Sequence, residues 1–384
     1  MSASPVVEHH PDLSLQAPEY VRSIAPYLPG KPIGELAREF GLAERDIVKL
    51  ASNENPRGPG SAVRAAIAAA VDELCRYPDG NGFELKAALA KRFGVGADQI
   101  VLGNGSNDVL ELVARAFLVP GDSAVYSRHA FMVYPLVVKA VGARAIEVPA
   151  RAYGHDLGAM AAAIRPDTKI VFLANPNNPT GTFLPWGEIR AFVERVPPTA
   201  LVVLDEAYGE YLPDDRRSPT AGWLASFPNL VVSRTLSKAY GLAGLRVGFG
   251  LAHPEVAELM NRVRQPFNVN HLAMVAACAA LDDEDFIAES RRVNAAGLGQ
   301  LSRGFGLLGL EFIPSAGNFV AVRVGDAARI YDSLLRQGVI VRPVAGYGMP
   351  EHLRVTVGTP AQNERFLAAL ERALGEARPA PAGR

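Results

Sequence analysis

Lys238 sits in the stretch SRTLSKAYGLAGLRVGFG (233–250), between the hydroxyls of Ser233, Thr235 and Ser237 and the guanidinium of Arg246. A primary amine crowded by cations or apolar neighbours loses its proton more readily, and the free amine attacks carbonyls to form a Schiff base. The arginine and the hydroxyls next to it suit a phosphate. A lone Ser-Lys pair is ordinarily a solvated surface lysine, so the chemistry must rest on what accompanies it. Upstream, Asp205 closes the apolar run Leu201–Leu204 in LVVLDEAYGEY. A Schiff-base lysine, an acid able to keep a pyridine nitrogen protonated and a phosphate-gripping arginine are together the protein groups that pyridoxal 5'-phosphate requires.

These groups need a scaffold, and the flanking sequence suggests one. A continuous apolar run ending in a carboxylate predicts a parallel strand buried on both faces, with the acid at its carboxyl end, where open α/β sheets bind their ligands. In IVLGNGSNDVLEL (100–112) a short strand meets Gly103-Asn104-Gly105 and then a helix opening near Ser106. The first free amides of such a helix, at Gly105, Ser106 and Asn107, point toward an anion. The rival reading, a dinucleotide fingerprint, lacks its third glycine. Strands at 123–126, 143–148 and 170–173 alternate with helical stretches, which predicts an α/β fold with a mostly parallel central sheet wrapped by helices. Past Gly250 come a basic helical stretch (255–264), one long helical region (271–304) and a run of short strands and helices (312–373). The expected organisation is an N-terminal arm (1–46) packing with the small domain, a large cofactor-binding domain (47–265), and a linking helix with a smaller α/β domain (266–384).

The series NPNNPTG, LDEAY and SKAYGLAGLRVGF resembles the fold-type I pyridoxal-phosphate aminotransferases, in the branch that contains the histidinol-phosphate enzymes. The resemblance implies that Lys238 carries the cofactor and moves protons, and that Asp205 faces the ring nitrogen. It further implies that Asn178 and Tyr208 bond the phenolic oxygen, that Phe131 in HAFMVYP stacks on the ring, and that Thr235, Ser237 and Arg246 join 105–107 around the phosphate. Tyr77, in RYPDG, would reach the cofactor phosphate of a second subunit, making the protein a homodimer. Tyr27 and Asn55 would stand at the substrate entrance, and Arg342 and Arg354 would grip a substrate phosphate or carboxylate. This chain has Arg57 in ASNENPRGP where the resembling enzymes usually have leucine. The implied reaction transfers the amino group of L-histidinol phosphate to 2-oxoglutarate by a ping-pong route. Two relatives of the branch stay open as alternatives: transaminases of phenylalanine or tyrosine, and a threonine-phosphate decarboxylase.

Bulk properties agree without adding detail. The 384 residues, 49% hydrophobic and 21% charged, are enough for two or three domains with sizeable cores. A net charge of −1 gives no electrostatic reason to expect nucleic acid or an anionic membrane. Cys75 and Cys278 are too few for a disulfide framework and too far apart for a metal pair, and neither an HExxH nor a GxSxG motif occurs. With no apolar run approaching a membrane span and no secretory start, a cytoplasmic enzyme without a metal is expected.

Overall fold

Two sheets account for nearly all the strands of the computed structural model, which describes residues 12–26 and 29–377. In chain order the strands are β1 (Val48–Lys49), β2 (Ile100–Gly103), β3 (Ser123–Ser127), β4 (Arg144–Val148), β5 (Thr168–Ala174), β6 (Leu201–Asp205), β7 (Leu230–Thr235) and β8 (Gly248–Ala252). Then follow β9 (Phe312–Ile313), β10 (Phe319–Arg323), β11 (Val339–Ile340), β12 (Arg342–Pro343) and β13 (His352–Thr356). The large sheet has the order β2-β8-β7-β6-β5-β3-β4. Neighbours from β7 to β4 run parallel, whereas β8 is antiparallel to both β7 and β2.

The all-apolar runs are explained by what covers the sheet. Along β6, Val202 and Leu204 enter one core, with Val171, Leu173 and Val232, while Leu201 and Val203 enter the core on the opposite face, with Ile170, Phe172 and Val231. Side chains alternate across a strand, so burial on both faces demands an uninterrupted apolar sequence. Asp205 interrupts the run only where the strand reaches the carboxyl edge. The antiparallel turn from β7 to β8 matters equally. Because the chain doubles back after Thr235, the loop 236–247 stays at that edge, and Lys238 and Arg246 stay with it.

The smaller sheet, β12-β13-β10-β9, is antiparallel and covered by the helices Glu284–Leu307, Ala327–Arg336 and Pro360–Ala377. Three details differ from the expected division. Val48 and Leu50 pack among Val320 and Val339, and β1 pairs with β11, so residues 48–50 belong with the small sheet rather than the large one. The turn Glu19–Arg22 lies against the helix Val133–Ala140 of the large sheet, while the helix Ile33–Phe40 places Leu36 against Leu335 and Ile340. The helical region from 271 breaks in two at Asp282-Asp283, where Asp283 caps a new helix by accepting from the Phe286 amide at 3.0 Å. Its first half, His271–Leu281, is apolar around its circumference and is buried in the large core, so the helix Glu284–Leu307 makes the passage between domains. No helix among the described residues is long and apolar enough to cross a membrane.

Candidate active site

At the carboxyl edge of β5, β6 and β7 the two domains enclose a cavity whose lining includes Lys238, Asp205, Tyr208, Asn178, Arg342 and Arg354. Lys238 is half-buried, and its Nζ donates to the Ser52 carbonyl at 3.0 Å. Burial, and after it the Arg354 guanidinium, bring the ammonium down to about 8, within reach of the free amine that Schiff-base chemistry needs. Glu54 and Asp205 act the other way, but Glu54 is shared with Lys49 at 2.8 Å, and burial outweighs both.

Asp205 is buried, at 5% exposure. Its Oδ2 accepts from the Tyr134 hydroxyl at 2.9 Å and its Oδ1 from the Ala207 amide at 3.1 Å. Both donors are neutral, and burial pushes the carboxyl up to about 6. A buried carboxylate bonded only to neutral donors favours a cation at its remaining face. A protonated pyridine nitrogen meets that requirement.

The opposite end of the cavity is built for an anion. Gly105, at φ +84°, precedes the helix Ser106–Phe117, whose first turn has no side-chain cap, so its amides remain available. Arg246 adopts φ +58° and donates to Ser237 Oγ at 3.4 Å and to the Ala243 carbonyl at 3.1 Å. A Cβ added to Gly105 would stand 2.6 Å from Arg246 Nη2, so glycine is what lets the guanidinium lie over the helix start. Thr235 Oγ1 accepts from the Ser237 amide at 3.1 Å and holds the loop as it leaves β7. Asn107 and Arg246 are exposed, which makes this the open end of the cavity.

Phe131 and Tyr134 line the side wall, their rings meeting edge to face at 5.9 Å. Tyr208 is 4% exposed, and burial raises its hydroxyl well above the ordinary value. Asn178 Oδ1 accepts from Arg354 Nη1 at 2.6 Å, which leaves the amide nitrogen of Asn178 as the donor for the cavity. Arg354 also donates to the Ala51 carbonyl at 2.7 Å and lies 5.3 Å from the Phe319 ring. Arg342 and Arg354 are register partners across β12 and β13, and side chains of directly opposed residues share a face of the sheet.

Two expected residues stand elsewhere. Asn55 does not line the cavity: its Nδ2 donates to the Ala239 carbonyl at 2.8 Å and to Ser290 Oγ at 3.0 Å, fastening the Lys238 loop to the interdomain helix. Tyr77 is 84% exposed, stacked on Phe267 at 4.9 Å, and outside the cavity of its own chain. Tyr27 lies outside the described residues. Arg57 faces away from the mouth, donating to the Phe286 carbonyl at 2.8 Å with its guanidinium over the Phe286 ring. Among the described residues, four lining residues with polar side chains escaped the sequence reading: Ser52, Asn53, Tyr134 and Tyr347. Tyr134 carried a signal, because a tyrosine hydroxyl one helical turn past Phe131 needs a buried partner. Asn53 and Asn55 were indistinguishable by type and local pattern.

Residues 45–370 match the family of class I and II aminotransferases. The chain is 63% identical to a histidinol-phosphate aminotransferase of Thiobacillus denitrificans over 94% of both chains. It is 60% identical to one from Ralstonia nicotianae, covering 95% of this chain and 99% of that one. Among solved structures, the histidinol-phosphate aminotransferase of Sinorhizobium meliloti in complex with pyridoxal-5'-phosphate superposes with a TM-score of 0.86 at 32% identity, covering 94% of this chain and 98% of the other. An aspartate aminotransferase of Thermus thermophilus, 23% identical with a TM-score of 0.80, shares the fold. With a lysine, a buried acid and an anion cradle at the carboxyl edge of such a sheet, the chain belongs to the class I and II aminotransferases, in the branch of the histidinol-phosphate enzymes.

Proposed function

We propose that the protein transfers the amino group of L-histidinol phosphate to 2-oxoglutarate, using pyridoxal 5'-phosphate and yielding imidazole-acetol phosphate and glutamate. The observation that carries this reading is the Arg342–Arg354 pair, set on one face of the small sheet in the cavity that holds Lys238. Two guanidinium groups match a phosphate dianion better than a single carboxylate.

When bound, the cofactor supplies a protonated pyridine ring that withdraws the electron pair left at the substrate's α-carbon. The protein's own groups do the rest. Lys238 would hold the aldehyde through Nζ and, once freed by the incoming amine, would move the proton at the α-carbon, a task suited to an amine whose value lies near 8. Asp205 would accept the ring N–H, with its carboxylate kept in place by Tyr134 and the Ala207 amide. Asn178 and Tyr208 would donate to the phenolic oxygen. Arg246, Ser237, Thr235 and the amides at 105–107 would hold the phosphate, and Phe131 would cover the ring. The two half-reactions share one cavity, so kinetics are ping-pong.

The open phosphate end and the exposed Tyr77, next to the equally exposed Phe83 and the half-exposed Phe267, favour a homodimer in which Tyr77 closes the cavity of the partner. A cytoplasmic location belongs to the same proposal. The test is amine-donor profiling with an Arg342→Ala variant. We expect kcat/KM for histidinol phosphate to fall at least a hundredfold, and that for phenylalanine less than fivefold, since losing one charge-assisted contact to a phosphate is worth about 3 kcal/mol. Equal losses for both donors would remove the phosphate from the reading. Carbon dioxide release without any 2-oxo acid would favour the decarboxylase.

A further inference from the structure

Tyr208 and Asn53 meet at 2.8 Å, with Asn53 Nδ2 donating to the Tyr208 hydroxyl oxygen. What fixes this direction lies in the other domain. Thr356, on β13, accepts the Asn53 backbone N–H at 2.9 Å, and its hydroxyl donates to Asn53 Oδ1 at 3.2 Å. With Oδ1 committed to a donor, the amide cannot flip, and Nδ2 must face Tyr208. Tyr208 then accepts a hydrogen bond from Asn53, and its single hydroxyl proton is left for the cavity. The backbone is arranged for this too: Asn53 has φ +56°, a region that asparagine enters more readily than other side chains, and its carbonyl accepts from Asn318 Nδ2 at 3.0 Å. Asn53 is 1% exposed and Thr356 3% exposed, so both contacts are buried.

We infer that Asn53, held by Thr356 of the small domain, is a positioning residue that sets the polarity of the Tyr208 hydroxyl, forcing it to donate into the cavity. This rests on the function proposed above, in which that donor meets the phenolic oxygen of the cofactor. It also ties the direction of the bond to the packing of the small domain, because Thr356 and Arg354 project from the same face of β13, one holding Asn53 and the other Asn178.

The test is the pH titration of the visible absorbance of the protein loaded with pyridoxal phosphate. Asn53→Asp keeps the shape and tolerates the left-handed backbone, but a carboxylate can only accept, so the Tyr208 proton turns away from the cavity. Removing a donor to a charged oxygen makes the chromophore hold its proton more tightly. The transition is expected to move up by about one pH unit, tenfold in the protonation equilibrium. Tyr208→Phe should move it at least as far, and Thr356→Val, which introduces no charge, by a smaller step in the same direction. In a Tyr208→Phe background, Asn53→Asp should add nothing. An equal added shift there would mean that the new carboxylate acts through its charge alone, and the inference would fall. It would fall equally if Asn53→Asp titrates like the parent while Tyr208→Phe moves. A parent protein that develops no visible band with pyridoxal phosphate would defeat the proposed function and this inference together, whereas the two preceding outcomes defeat this one alone.

Discussion

Replacing Asp205 by asparagine should make the cofactor-free protein more stable while abolishing turnover. The carboxyl is pushed from 3.8 to about 6 in the fold, chiefly by burial. Between those values the folded protein keeps a proton that the unfolded chain has released, so stability declines as pH rises through that window and the full penalty is present above about 6. At 1.36 kcal/mol per tenfold, the difference comes to about 3 kcal/mol at neutral pH. Asparagine has no charge to bury, and its geometry is accommodated: Oδ1 can accept from the Ala207 amide while the Tyr134 hydroxyl reverses to accept from Nδ2. The assay is urea unfolding of cofactor-free Asp205→Asn and parent protein at one protein concentration, at pH 7.5, 5.5 and 4. The variant should lead by about 3 kcal/mol at pH 7.5, by less at pH 5.5, and by almost nothing at pH 4. With pyridoxal phosphate added the order should reverse, because a ring cation stabilises only the carboxylate. An asparagine variant that is no more stable than the parent at pH 7.5, or whose lead persists at pH 4, would refute the claim that a buried, uncompensated charge is stored there for the cofactor.

Brief reductive methylation of the cofactor-free protein should modify Lys238 with half-maximal reactivity near pH 8, below the ordinary 10.5 of a lysine; peptide mapping across pH reads the shift. Gly105→Ala sets a Cβ 2.6 Å from Arg246 Nη2 at a φ of +84°, so affinity for pyridoxal phosphate, measured by fluorescence titration, should drop at least tenfold. Arg57→Leu removes a hydrogen bond to the Phe286 carbonyl and a guanidinium 4.4 Å from the Phe286 ring; thermal unfolding should show a loss of about 1–2 kcal/mol with kcat unchanged.

The chemistry of the site was legible wherever local sequence constrains local structure. A strand buried on both faces must be continuously apolar, so the run Leu201–Leu204 announced β6 and left Asp205 at its edge. Small residues announced the helix that opens at Ser106 behind Gly105. The contest between Asn55 and Asn53 could not be read in this way. Both belong to one turn of the same composition, and only the left-handed φ of Asn53 together with Thr356, 303 positions away, aims its amide at Tyr208 while Asn55 ties down the Lys238 loop. The sheet that receives residues 48–50 was hidden for a related reason. Val48 and Leu50 look like any short strand, and which sheet receives them depends on the pairing of β1 with β11.

By itself the sequence determined which groups exist and which segment each must occupy, since residue type and hydrophobic period act over a few neighbours. The tertiary structure decided which face each group presents and to what: the shared face of Arg342 and Arg354, the neutral donors left around Asp205, and the Tyr134 hydroxyl that meets it. Those outcomes depend on contacts between segments far apart in the chain, where burial and hydrogen-bond direction, rather than local preference, set the energy.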